Sequence, residues 1–199
     1  MSSFGHPTLF SQLISCELCK DRFAASSTGH KPRPVFQGHS SAKLLIAGQA
    51  PGARVHKSGQ PFTDRSGDRL RNWMGLGKRT FYDADRIAIL PMGFCFPGYD
   101  TKGGDLPPPN ICSKTWRLDM LSLFPNIKLT LLVGGYAQKW HLQTQECVDR
   151  AVSNWQKYQP DILPLPHPSW RNNAWIKSNP WFEAKLVPFL RQSVEEVLK

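Results

Sequence analysis

Long apolar runs are missing from this 199-residue chain. The longest nearly apolar stretches, Lys43–Gly48 and Lys128–Gly135, fall far short of the ~20 residues a membrane-spanning helix needs. The start, MSSFGHPTLFSQ, lacks the charged segment and apolar run of a secretory signal. A soluble, cytoplasmic protein with no membrane partner is therefore expected. Repeats, low-complexity tracts and blocks of like charge are absent as well, so nothing divides the chain, and a single monomeric domain over 1–199 is expected. Acidic residues are scarce: 15 Asp+Glu face 25 Lys+Arg, a net charge of +10. That excess suggests a polyanionic partner, phosphate backbones first, because neutralising them releases condensed counterions. Many stable proteins are simply basic, so charge alone leaves both readings open. What is present excludes a disordered basic tail: 40% of the residues are hydrophobic, with 11 Phe and 7 Trp.

The apolar pattern alternates short strand-like runs with helical ones. Leu9, Phe10, Leu13 and Ile14 recur at helical spacing and lead into Cys16 and Cys19. Strands are expected at Lys43–Ala47, Arg86–Leu90, Lys128–Val133 and Asp161–Leu165, with helices at Gly67–Met74, Lys114–Phe124, Gly135–Leu142 and Glu146–Trp155. A last helix is expected over Pro180–Leu198, with Asn179 as cap and Pro180 in the first turn. Strands separated by helices of this length specify a three-layer α/β/α sandwich around a central, mainly parallel four-stranded sheet. In such folds ligands bind at the carboxyl ends of the strands. That rule selects the loops Gly48–Ser66, Pro91–Cys112, Gly134–Tyr136 and Pro166–Asn179.

The first of these loops reads Gly48-Gln49-Ala50-Pro51-Gly52 and then Ser58-Gly59-Gln60-Pro61-Phe62. Glycines on either side of a proline make a tight turn whose amides can face a ligand, and Gly52 permits close approach. Phe62 is either a lid over the core or a stacking platform for a planar ligand. In the fourth loop, prolines at 164, 166 and 168 restrict the backbone around His167. A neutral imidazole N–H held in this way stabilises charge developing on an oxygen. Ser169 adds a hydroxyl and Arg171 a planar donor fork suited to phosphate.

Five cysteines in a reducing compartment serve metals more readily than disulfides. Cys16 and Cys19 form a C-x2-C pair, while Cys95 and Cys112 are separated by sixteen residues across a Pro/Gly-rich loop. Four thiolates are the ligand set of a 4Fe-4S cluster and of structural zinc. A zinc ribbon would show a second C-x2-C knuckle, which this chain lacks, and four unrelated buried thiols remain the plain alternative. Cys147, in an expected helix, reads as a small core residue.

Taken together, these motifs resemble the uracil-DNA glycosylase superfamily, particularly its iron–sulfur branch, over nearly the whole chain. GQAPG at Gly48–Gly52 is similar to the family's first motif, GQPF at Gly59–Phe62 with Ser66, Gly67 and Leu70 to its Gly-x-Pro-Phe segment, and HPS at His167–Ser169 to its second motif. The cysteine order matches the branch's cluster ligands. The resemblance implies a monofunctional DNA glycosylase of base-excision repair that removes a flipped-out damaged base, most often uracil. Phe62 would stack on the base, and His167 would donate to its O2 as the glycosidic bond lengthens. The turn around Gln49, Ala50 and Gly52 would bind the base edge and place a water near the anomeric carbon. Ser169, Arg171 and, more weakly, Ser58 would grip flanking phosphates. Cys16, Cys19, Cys95 and Cys112 would hold a structural 4Fe-4S cluster, with zinc as the alternative, pinning the N-terminal segment 1–40 to the rest. Arg54, Lys57, Arg65, Arg69 and Arg71, with Arg171, would form a DNA-facing rim.

The chain also departs from the family. Gln49 stands where the branch carries Glu, Ala50 where some relatives carry Asp or Asn, and Pro91 where the branch carries Asn. The family's later acidic positions fall on Val55 and His56, which leaves Asp64 and Asp68 as the nearest carboxylates, both readable as helix caps. These departures motivate a second reading, a catalytically weak or inactive DNA-binding module on the same scaffold. An electron-transfer protein is a third, and it leaves two elaborated loops without a role.

Overall fold

The structure, a computed structural model, describes residues 8–199. The first seven residues of the 1–40 segment lie outside the described residues. Four strands, β1 (Leu44–Ala47), β2 (Ile87–Ile89), β3 (Leu129–Val133) and β4 (Ile162–Leu165), form one sheet in the order β2-β1-β3-β4. Every pairing is parallel, with Leu44 opposite both Ile87 and Leu129, and Leu131 opposite Leu163. The strands are nearly continuous apolar runs because both faces of the sheet are covered. Pro164, which cannot donate a ladder bond, is tolerated because β4 is an edge.

Alternate residues feed opposite layers. Leu44, Ile46, Ile87, Ile89, Leu131 and Leu163 face a core completed by α4 (Arg65–Met74), α5 (Lys78–Phe81), α8 (Val148–Ser153) and α10 (Val187–Leu198). Leu45 and Ala88 face α1 (Leu9–Ile14) and α6 (Asn110–Ser122), while Ala47 and Leu132 face α7 (Gly135–His141). Sheet and flanking helices make the expected three-layer sandwich.

The remaining helices are short: α2 (Lys20–Ala24), α3 (Ala53–Ser58) and α9 (Asn173–Ser178). The last two lie in stretches expected to be loops. Helix α6 begins at Asn110, four residues before the expected start, because Pro109 ends the extended run and places its carbonyl for the Cys112 N–H (2.9 Å). Cys112 therefore sits in a first helical turn. Toward the end of the chain, Pro188 has no N–H to offer the carbonyl of Ala184, and the helix passes through a π-turn over Phe182–Leu186 before α10.

Cys147 is not a core residue. It is exposed at the position preceding α8, which starts at Val148 rather than Glu146.

The strand order places the topological switch between β1 and β3, since the chain leaves β1 toward β2 on one side and later inserts β3 on the other. The crevice at their carboxyl ends is where this architecture binds ligands.

Candidate active site

Loops following β1, β2 and β4 converge on that crevice and enclose an open cleft of about 1810 Å3. The turn after β1 is pinned to the loop after β2: Met92 N–H donates to the Gly48 carbonyl and Gly93 N–H to that of Gln49, both at 2.9 Å. Gln49, Ala50 and Gly52 line the cleft, and Pro91 is buried along the same wall. Gln49 therefore reaches the place expected of it, as an amide rather than a carboxylate.

Phe62 adopts a left-handed backbone, φ 53°, unusual outside glycine. Three groups hold it there. Its carbonyl accepts from Arg71 Nη1 at 3.0 Å and from the Tyr82 hydroxyl at 3.1 Å. A Cβ at position 67 would lie 1.8 Å from the same oxygen, so only Gly67 allows the approach. The Phe62 ring packs edge-on against Phe81 and lies 3.4 Å from where a Gly48 side chain would begin. Phe62 thus packs partly on the core and partly lines the cleft.

His167 leaves β4 on a braced loop. Asn172 Nδ2 donates to its carbonyl at 2.6 Å, and Arg69 Nη1 ties the Ser169 carbonyl to α4 at 3.1 Å. Behind it, Gly134 adopts a left-handed φ of 85° that favours glycine, and a side chain there would begin in contact with His167, 3.4 Å from its Cβ. Burial holds the imidazole below the ordinary histidine range, against the pull of the Asp64 carboxylate and with the Arg171 charge assisting. His167 is therefore neutral at physiological pH, an N–H donor without a net charge.

Ser169 and Arg171 line the cleft as expected. Ser58 does not: its hydroxyl contacts Thr63 Oγ1 (2.9 Å) and accepts from Gln60 N–H (3.2 Å), closing the turn after α3. Arg54 and Arg65 reach the cleft, but Arg71 does not belong to the rim. It is 5% exposed and paired with Asp68 Oδ1 at 2.5 Å, one helical turn away. Asp68 is thus an intrahelical partner, and Asp64 Oδ1 caps α4 through Gly67 N–H at 3.0 Å. His56, at a family acidic position, turns away from the cleft to pack against His30 and Phe96.

Sequence reasoning missed two residues. Trp170, in the fourth loop, is 74% exposed with the Arg171 guanidinium 5.8 Å from its ring centre, an apolar plate at the cleft mouth. Asp105 also lines the cleft, from the loop after β2. The signal for it was the Gly103-Gly104 turn immediately before it.

Away from the cleft, Cys16, Cys19, Cys95 and Cys112 all line one small apolar cavity, with Leu13 and Trp116 among its walls. Burial pushes the Cys95 thiol up to about 12 and Cys112 to about 11, and the neighbouring cysteines add to both. Phe94 N–H donates to Cys112 Sγ at 3.4 Å, and the buried Trp116 Nε1–H has no acceptor among the described residues. Among the described residues, no three His, Cys, Asp or Glu side chains are arranged as they stand around a single metal ion. Four thiols and one N–H donor unpaired among the described residues, Trp116 Nε1, thus line the same cavity.

A model of the uracil DNA glycosylase superfamily matches residues 35–191. The chain belongs to that superfamily, whose members are DNA glycosylases: hydrolases that separate a base from its deoxyribose. The match starts beyond Cys16 and Cys19 and so speaks for the scaffold and the cleft loops rather than for the cysteine pair. No helix among the described residues is long and apolar enough to cross a membrane.

Proposed function

We propose that the protein excises a damaged base, uracil foremost, from DNA by monofunctional hydrolysis of the N-glycosidic bond. The observation that carries this reading is a neutral histidine, His167, held on a rigid loop in a cleft that also contains the Phe62 ring. A base inside a duplex must be extruded first, at a cost of a few kcal/mol that falls for mismatched or unpaired bases. Trp170 at the cleft mouth supports that step by stacking on the bases left behind. Phe62 then stacks on the extruded ring, and the Gly48–Gly52 turn reads its edge. As the bond to the sugar lengthens, the electron pair moves to the base, and His167 N–H stabilises the charge on its O2. Arg171 and Ser169 hold the flanking phosphates, with Arg54 and Arg65 completing the positive rim.

The cysteine cavity supports a second proposal, a 4Fe-4S cluster held by Cys16, Cys19, Cys95 and Cys112. Such a group supplies cross-linking of the N-terminal segment to the loop after β2 and takes no part in hydrolysis.

The test is release of free base from uracil-containing oligonucleotides. Wild type is expected to release uracil, and His167→Ala to do so roughly 10²–10³-fold more slowly, the usual cost of losing one oxyanion donor. Wild type and variant equally inert on single- and double-stranded uracil, xanthine and hypoxanthine substrates would overturn the enzyme reading. Salt-sensitive DNA binding without base loss would then leave a DNA-binding module.

A further inference from the structure

Hydrolysis needs a water made nucleophilic, and position 49 supplies an amide that cannot take a proton. Among the described residues, two carboxylates line the cleft, Asp64 and Asp105. Asp64 is committed, since its Oδ1 caps α4. The carboxylate of Asp105 accepts no hydrogen bond from any described residue.

Its position is nonetheless fixed. Asp105 sits on a tight hairpin closed by Leu106 N–H to the Gly98 carbonyl (2.9 Å) and Asp100 N–H to the Gly104 carbonyl (2.7 Å). Asp100 Oδ1 stiffens the tip by accepting from Lys102 and Gly104 N–H, each at 2.8 Å. Pro107, Pro108 and Pro109 then restrict the exit. From this hairpin, Asp105 Oδ2 reaches the turn after β1 and lies 3.5 Å from where a Gly52 side chain would begin. It therefore stands against the backbone that the proposed function assigns to the base edge.

Its charged surroundings are mixed. Desolvation raises the carboxyl above the ordinary aspartate range, Arg171, whose guanidinium lies against the same hairpin at Gly104, opposes this, and Asp64 and Asp100 add to it. His167, Arg54 and Arg65 complete the titratable and charged lining.

We infer that Asp105 is the general base of this cleft, supplying from the hairpin after β2 the carboxylate that the turn after β1 lacks. The inference rests on the glycosylase reading. In the step, the C1′–N bond breaks with its electron pair leaving on the base. Water oxygen bonds to C1′, the water's proton passes to the Asp105 carboxylate, and the base anion takes a proton from solvent. A free base and an abasic sugar result.

The experiment measures single-turnover excision of uracil from a single-stranded oligonucleotide across pH. Wild-type activity is expected to fall in acid as Asp105 protonates, along a limb displaced above the ~3.9 of a free aspartate. Asp105→Asn is expected to lose roughly 10²–10⁴-fold in rate, the usual contribution of a general base, and to lose that limb. Its affinity for the same oligonucleotide should stay within threefold. Asp105→Ala should recover at least tenfold in rate on addition of formate, a small carboxylate able to occupy the vacated space. An Asp105→Asn protein within threefold of wild type overturns the inference. So do variants that are slow yet keep the wild-type pH profile and ignore formate, since Asp105 would then only brace the loop. A wild type inert on every base overturns the glycosylase reading and this inference together, whereas an active wild type indifferent to Asp105 overturns this inference alone.

Discussion

The cleft and the cysteine cavity are both assembled from loops, and they are built in opposite ways. The cleft is wide and open, and its walls alternate charge with aromatic surface: Arg54, Arg65 and Arg171 beside Phe62 and Trp170. The cavity is small, enclosed by apolar side chains, and its only reactive groups are thiols. In the cleft, burial serves to keep His167 neutral while leaving it within reach of a ligand. In the cavity, burial drives the Cys95 and Cys112 thiols strongly toward protonation, a state that a cation bound beside them would reverse. Polar groups on rigid loops facing solvent are suited to chemistry, whereas thiols facing one another in an apolar shell are suited to cross-linking. The two regions meet at Arg117. This residue of α6 is fully buried, donates to the Leu90 carbonyl at 2.6 Å and the Pro91 carbonyl at 3.4 Å, and has no carboxylate partner among the described residues. It links the helix that carries Cys112 to the wall of the cleft.

If the division of labour holds, the largest effect of any change outside the cleft comes from Cys95→Ser. Wild-type protein prepared without oxygen is expected to be brown, with roughly four iron and four sulfide per chain. The variant should lose the colour and the iron and melt well below wild type, because metal-binding energy is folding energy. Cys147→Ser, on an exposed residue, should do neither. Metal analysis with thermal melts decides the matter, and stoichiometric zinc, or a colourless metal-free wild type, breaks the cysteine half of the comparison.

An intermediate effect is expected at the seam. His141 Nε2 lies 2.6 Å from Arg117 Nη2, an arrangement that requires the imidazole to accept and hence to be neutral. Burial, with the Arg117 charge adding to it, lowers its pKa to about 3. An unfolded histidine titrates near ~6.5. Between these values the unfolded chain binds the proton and the folded chain does not, so this contribution to stability is full above the upper value and is lost as pH falls toward the lower one. Urea melts across that window should show the loss, and His141→Gln should flatten it.

The smallest effect belongs to Arg171→Ala. Removal of one phosphate contact should weaken DNA binding across sequences and reduce the slope of log affinity against log salt by about 1. Fluorescence anisotropy over a salt series measures this, and an unchanged slope would take Arg171 off the phosphate-binding rim.

Much of the scaffold was legible in the sequence because buried parallel strands leave an unambiguous trace. Leu44–Ala47 is apolar throughout and Leu129–Val133 is apolar but for Thr130, and glycine follows each directly. His167 was legible because three prolines crowd it. Direction was not legible. Arg71 reads as one more positive charge in an arginine-rich stretch, and only its spacing of three from Asp68 hints that it turns inward to hold Phe62. Asp105 was hidden for a different reason. Its hairpin has no hydrophobic period, and its contact with Gly52 joins segments on opposite sides of β2.

Both ends of the loop carrying Asp105 begin at the cysteine cavity: Cys95 follows β2 and Cys112 opens α6, with sixteen residues between them. A segment anchored at both feet and cinched at its waist by the Gly98–Leu106 hydrogen bond has few conformations left to lose. Its ordering entropy is settled while the chain folds rather than when nucleic acid arrives. The wall of the cleft beside Arg171 is therefore a preformed surface, and association need not wait for this loop to find its shape.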